Sequence, residues 1–147
     1  MKHKKIIIIL SIIIVVLGIV KVTLLYIIKS QNQNIAYDDK IIVYNFAEGQ
    51  EIESPLVIKG KARGTWFFEG SFPIILVNWD GLIIAQSYAT AKTEWMTEDY
   101  VEFEGTITFD KPTVYNRGAL IFKKDNPSGL PEYDDALEIS ILYKYIQ

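Results

Sequence analysis

The nine residues VEFEGTITF, Val101 to Phe109, decide the fold class. Val101, Phe103, Gly105, Ile107 and Phe109 fall on one side of an extended chain. Glu102, Glu104, Thr106 and Thr108 fall on the other. A period of two with one apolar side predicts a β-strand that lies on a core and keeps its other face in water. LEISILYKY, Leu137 to Tyr145, repeats the pattern: Leu137, Ile139, Ile141, Tyr143 and Tyr145 alternate with Glu138, Ser140, Leu142 and Lys144.

Between and before these segments the same grammar continues. FPIILVN and LIIAQSY flank Trp79, Asp80 and Gly81, and Asp-Gly between two apolar runs predicts a hairpin. IIVYNFA, PLVIKG and GALIFKK are further short runs, several of them bounded by glycine or proline. Eight strands are expected, near residues 41–47, 55–61, 63–69, 72–78, 82–88, 101–109, 118–124 and 137–145. Residues 89–100, ATAKTEWMTEDY, are expected to be a long loop with one helical turn. No segment of this part carries a helical stripe. Many short strands at spacings of about ten residues predict an antiparallel β-sandwich.

GTWFFEGSFP, Gly64 to Pro73, is the most aromatic stretch. Read as a strand over Arg63–Glu69 with a turn at Gly70 and Ser71, it puts Trp66 and Phe68 on one face and Phe67 and Glu69 on the other. At least one pair of rings is expected in the core, because aromatic side chains bury large areas.

The first thirty residues are of another kind. From Ile6 to Ile28 the only charge is Lys21. As a helix this run is roughly 34 Å long, enough to cross a hydrocarbon core of about 30 Å. Lys21 sits towards its C-terminal end, where the long stem can reach the interface. Lys2, Lys4 and Lys5 precede the run and favour a cytoplasmic N-terminus, with the C-terminal domain outside the cell. The competing reading is a cleaved signal peptide, but no small-residue cleavage site stands near Val20–Thr23. The expected organisation is a signal anchor over 1–29, a polar linker over 30–40 and a β-sandwich domain over 41–147.

Charge and composition restrict the chemistry. All 18 acidic residues lie beyond Lys29, against 10 basic ones, so the outer part carries −8. Nucleic acid is not an expected partner, since phosphate binding needs clustered Lys and Arg. The chain has no cysteine, which removes disulfides, thiol catalysis and thiolate metal sites. The one histidine, His3, precedes the apolar run, so the outer domain has no Ser-His-Asp triad and no His-based metal site.

The ordered series GTWFFEGSFPIILVNWDG, TEWMTEDYVEFEGTITF and DNPSGLPEYDDALEISI resembles the immunoglobulin-like domain of bacterial spore germination proteins, a family also described as the second domain associated with the germination protein GerM. The resemblance runs from about Pro55 to Ile141. It implies an extracytoplasmic immunoglobulin-like β-sandwich of the bacterial cell envelope that mediates interactions, with no catalytic residue to carry over. No accompanying GerM domain is present in this chain.

The remaining candidates are acids beside aromatics. Glu69, Asp80 and Glu94 neighbour Trp66, Trp79 and Trp95, as in a sugar cleft, where hydrolysis needs two carboxyl groups about 5 to 10 Å apart. Without catalysis, the same rings could stack on sugars. Trp79 at a hairpin tip is the best placed, and the alternative is that it folds back on a neighbouring strand. Trp66 and Trp95 are expected in or at the edge of the core. Asp134 and Asp135, with Asp125 and Asn126, could offer oxygens to calcium, but the spacing fits no EF-hand, and solvated turn acids are the simpler reading. The expected function is therefore a non-enzymatic envelope interaction module without cofactor or metal, whose partner is an envelope protein or cell-wall glycan. Its possible ligand surface comprises Trp79, Asp80, Glu69 and Trp95. The alternative is a carbohydrate-binding or weakly hydrolytic wall module.

Overall fold

The apolar N-terminal run and the alternating segments form separate compact units, residues 1–33 and 34–147. The computed structural model describes residues 2–31, 35–37 and 39–144. Lys2–Gln31 forms helix α1, 30 residues and about 45 Å long. The Thr23 hydroxyl donates to the Val20 and Ile19 carbonyls at 2.9 and 3.0 Å, satisfying its polar group within the helix. Among the described residues no helix is long and apolar enough to cross a membrane. The expected span includes residues 6–8, 11 and 26–28, whose side chains lie outside those described.

The described residues of the second unit form nine strands: β1 Ile35–Tyr37, β2 Ile41–Val43, β3 Gln50–Ile52, β4 Leu56–Arg63, β5 Ser71–Asn78, β6 Ile83–Ala91, β7 Tyr100–Ile107, β8 Arg117–Lys123 and β9 Ala136–Tyr143. They form one hydrogen-bonded sheet in the order β1-β2-β4-β7-β6-β5-β8-β9-β3. The sheet curls into two facing layers. One is β1-β2-β4-β7 and the other β6-β5-β8-β9-β3. Only three residue pairs, Ala89–Gly105 to Ala91–Phe103, join β6 to β7 and carry the ladder round the corner. The expected sandwich is thus a single curled sheet. It is also mixed, because β3 runs parallel to β9 while every other pair is antiparallel.

The core lies between the layers. Ile58, Val101, Phe103 and Ile107 come from one, and Phe72, Ile74, Leu76, Leu120, Phe122 and Ile139 from the other, all buried. Phe72 and Phe103 meet edge to face across it at 5.0 Å. The alternation read in Val101–Phe109 and Leu137–Tyr143 holds: the predicted inward residues are buried in both. Tyr145 lies outside the described residues.

The strand expected at 63–69 does not form. Gly64 packs so closely on the Thr97 and Trp95 carbonyls that a Cβ would stand 1.9 and 2.3 Å from them. The chain there folds into a 3₁₀ turn, Gly64–Trp66. Phe68 and Ser71 then exchange N–H···O bonds of 3.0 and 3.1 Å around Glu69 and Gly70, whose φ values are 49° and 74°. Two positive φ values define a type I′ turn, one residue earlier than expected. The 3₁₀ turn breaks the two-residue period, so adjacent Trp66 and Phe67 are both buried while Phe68 is exposed.

The other differences are smaller. Ile35–Tyr37, in the stretch read as linker, pairs with β2. Residues 32–34 and 38 of that stretch lie outside those described. Three residues past the expected end of β6, Ala89, Thr90 and Ala91, still belong to the strand and hold the corner, and residues 92–99 contain no helical turn.

Candidate functional site

The two outer faces of the curled sheet differ in chemistry. On the β4–β7 face, charges are paired across strands. Lys59 and Lys92 hold Glu104 at 3.4 and 3.1 Å, and hydrogen bonds from Lys92 and then Lys59 keep its carboxyl below the usual range. The Tyr44 hydroxyl donates to Glu102 at 2.8 Å. Burial, then that bond and the carboxylate charge, push its pKa up to about 12. Lys61 and Arg63 both lie over the Tyr100 ring, at 4.7 and 4.2 Å. A face whose charges satisfy one another offers little to a ligand.

The outer face of β5, β8 and β9 is less polar. Strand register places Val77 beside Ala119 and Ala119 beside Ser140, a row of small or aliphatic groups. One step on, Arg117 lies beside Leu142. Trp79 stands at the end of this row, held there by its hairpin. The Asn78 side-chain oxygen accepts the N–H groups of Asp80 and Leu82 at 3.0 and 2.9 Å. The Gly81 N–H donates to the Asn78 carbonyl at 3.1 Å, and the Asn78 N–H to Leu82 at 2.9 Å. With Gly81 at φ 77°, this is a three-residue loop ending in a left-handed glycine. The expected hairpin is present, with Trp79 at its tip.

Trp79 meets Tyr115 edge to face, ring centroids 4.9 Å apart, and each side chain keeps 53% of its surface exposed. Tyr115 comes from the loop between β7 and β8. That loop is tied down where the Asn116 carbonyl accepts the Tyr143 N–H at 2.7 Å. Below it the buried Tyr143 hydroxyl donates to the Val77 carbonyl at 2.8 Å, and burial raises its pKa well above the usual phenol value. An open groove of about 660 Å³ runs beside Trp79, lined by Val77, Arg117, Ala119, Glu138, Ser140 and Leu142. A second hollow of about 470 Å³ lies against Trp79, Tyr115 and Arg117. Among the described residues the side chains of Arg117 and Glu138 have no hydrogen-bond or ion-pair partner. The groove therefore combines a ring pair, one cation, one carboxylate and an apolar floor, the composition of a binding surface.

The four residues singled out from sequence do not converge. Trp79 and Asp80 sit at one end of β5, while Glu69 and Trp95 sit at the other, roughly 25 Å away at the rise of an extended strand. Glu69 occupies the positive-φ position of its turn and is exposed. Trp95 is half buried against the core. Glu94 receives the N–H groups of Trp95 and Met96, both at 3.1 Å, and so shapes its own loop. Trp66 is 2% exposed, as expected of a core ring.

The acids considered for calcium are engaged in turns. Asp135 pairs with Lys40 at 2.7 Å, and Asp134 accepts from Asn126 at 3.0 Å. Among the described residues no three His, Cys, Asp or Glu side chains are placed to hold a metal ion.

Sequence reasoning missed Tyr115, Arg117 and the Val77–Ala119 floor. Tyr115 lies in a loop without periodicity, 36 positions from Trp79, and no local pattern marks it. Arg117 alternates with buried groups at the start of β8, a signal that separates outward from inward residues but not bound from free ones.

The model of the family described as the immunoglobulin-like domain of bacterial spore germination matches residues 40–129, more than half of the chain. No curated protein and no solved structure matches.

Proposed function

The chain belongs to the family of immunoglobulin-like domains of bacterial spore germination, and from that premise we propose that it is a non-enzymatic interaction module of the bacterial cell envelope, used in spore formation or germination. The observation that carries the reading is the groove beside the exposed Trp79–Tyr115 pair, with the uncompensated Arg117 and Glu138 at its side. Aromatic anchors beside single charges are what binding surfaces concentrate their energy on. Placement in the envelope rests on α1. Its 30-residue length and the sequence Ile6–Ile28, charged only at Lys21, support a single-pass anchor. Lys2, Lys4 and Lys5 support an N-terminus on the cytoplasmic side.

Capture from cross-linked envelopes tests the module. The full chain should retain a partner, protein or glycan, that Trp79→Ala and Arg117→Ala both lose. Equal recovery by the variants would remove the groove from the interaction.

A second reading, cell-wall carbohydrate binding, is favoured by one observation: Trp79 is an open ring with Asn78, Arg117 and Glu138 around it. Titration of the chain with wall fragments should then shift Trp79 fluorescence, and the shift should vanish in Trp79→Phe. Hydrolysis by Glu69 with Asp80 has no support from their positions at opposite ends of β5.

A further inference from the structure

Three connections form one end of the domain. The Phe109 N–H donates to the Ser54 hydroxyl at 2.9 Å, which ties the β7–β8 loop to the β3–β4 turn. The Trp79–Tyr115 contact ties the same loop to the β5–β6 hairpin. Large apolar groups lie open here. Trp79 and Leu82 are on the hairpin, Ile83 is where β6 begins, and Val114 and Tyr115 are on the loop. Each keeps more than half of its surface in water. A cluster of this kind marks a contact surface. The chain also enters the domain from this end. β4 starts here, with Leu56 beside Ile107. β2 runs towards it, from Ile41 beside Ala62 to Val43 beside Gly60. β1 is antiparallel to β2, so it comes from this end at Ile35 and climbs to Tyr37.

Charge separates the two ends. The connections at the opposite end, residues 64–70, 92–99 and 124–135, hold eight acids and two lysines. Those at the Trp79 end, residues 53–55, 79–82 and 108–116, hold three acids and one lysine, and Arg117 and Lys144 adjoin them. The acidity of the outer part is therefore concentrated away from Trp79, whose own end is close to neutral. The opposite end also exposes Phe68, Met96, Leu130 and Tyr133, but it sets them among its acids. An anionic lipid surface repels that end and tolerates the other. The two rings suit such a surface as well, because Trp and Tyr collect where hydrocarbon meets water.

We propose that this end of the domain docks on the bilayer. Leu82, Ile83 and Val114 enter the outer hydrocarbon, and the Trp79 and Tyr115 rings lie at headgroup level. The inference rests on the anchor read from Ile6–Ile28, since a chain held there and entering β1 from this end meets lipid with this end first. Lys111 and Arg117 suit the lipid phosphates. Strand β5 then rises away from the surface, so the outer face of β5, β8 and β9 stands sideways to it. Docking thus sets the direction of the groove and leaves its floor of Ala119, Ser140 and Glu138 open to a partner beside the membrane.

The test uses the full chain in vesicles of phosphatidylethanolamine and phosphatidylglycerol in equal parts. The chain has no cysteine, so Leu82→Cys and Val114→Cys each carry a single fluorescent label. Met96→Cys, similarly exposed at the opposite end, is the control. Lipid-borne nitroxide should quench the labels at Leu82 and Val114 severalfold more than the one at Met96. Without labels, brominated lipid should quench a part of the emission that Trp79→Phe removes. Leu82→Asp combined with Val114→Asp should prevent that quenching with unchanged far-UV circular dichroism. Retention of the chain through an alkaline carbonate wash reports the anchor separately. A chain that is retained, with its Leu82 and Val114 labels quenched no more than that at Met96, overturns the docking and leaves the anchor standing. So does Trp79 emission quenched equally in the aspartate pair. A chain that washes off overturns anchor and docking together.

Discussion

Gly118 and Tyr143 form a contact in which the glycine cannot grow. A Cβ on Gly118 would lie 2.2 Å from the Val77 carbonyl and 2.7 Å from the Tyr143 ring. The Tyr143 hydroxyl reaches that same carbonyl, so the glycine makes room for the bond that supports the groove floor. Gly118→Ala should cost at least about 2 kcal/mol, since backbone on the β5 side cannot yield cheaply. Tyr143→Phe should cost about 1 kcal/mol, the hydrogen bond to a carbonyl that keeps its place in the β5–β8 ladder. Urea unfolding followed by tryptophan fluorescence measures both. Glu69 gives the opposite sign. It is a non-glycine residue at φ 49° in a type I′ turn, a conformation that asparagine or glycine adopts more readily. Glu69→Asn should therefore raise stability by about 0.5–1 kcal/mol. A loss of stability or of binding in that variant would mean that the carboxylate has a role beyond its turn.

At the scale of elements, Lys40 after β1 and Asp135 before β9 tie two distant connections together at 2.7 Å. Burial raises the Asp135 pKa, but hydrogen bonds from Lys40 and Tyr37, the Lys40 charge and the Ala136 N–H outweigh it, leaving the carboxyl below its ordinary 3.8. A carboxyl lowered on folding stabilises the fold above its unfolded pKa, and the contribution fades as pH falls through the folded value. Asp135→Asn should thus cost about 1 kcal/mol at neutral pH, with the gap to the parent chain closing as pH falls below 3.8. Chemical unfolding at both ends of that range checks it. The same elements show how far sequence alone reaches. Val101–Phe109 and Leu137–Tyr143 were legible because one face of each is buried and the other wet, so burial and sequence share a period. GTWFFEGSFP was not, because Gly64 is there to fit beneath two carbonyls and Glu69 to turn the chain. Neither requirement leaves a periodic trace. The short strands β1 and β3, three residues each, carry too little pattern to be seen. Trp79 could be placed at a tip, whereas Tyr115 beside it depended on a contact 36 positions away.

For the molecule as a whole, the residues beyond Lys29 carry −8, so copies of the chain repel one another at long range. Salt screens that repulsion, with a Debye length of about 10 Å at 0.1 M. The second virial coefficient of the chain in neutral detergent should therefore fall as sodium chloride rises from roughly 20 to 300 mM. Static light scattering across that range shows the sign directly.

The parallel pair β3–β9 bears on how the protein comes into being. Gln50 lies opposite Ile141, 91 positions later, and among the described residues β9 is the sole ladder partner of β3. A polypeptide made from its N-terminus therefore holds β3 unpaired until β9 has emerged. It also lacks the core side chains Leu137, Ile139, Ile141 and Tyr143 until then. Such long-range closure is slow. Nascent chains arrested at residue 135 should be cut readily by added protease, whereas chains extended past residue 144 by an unstructured tether should resist it. Synthesis of this domain is thus governed by its final strand, and until that strand arrives the growing chain depends on whatever holds unfinished β-sheets apart.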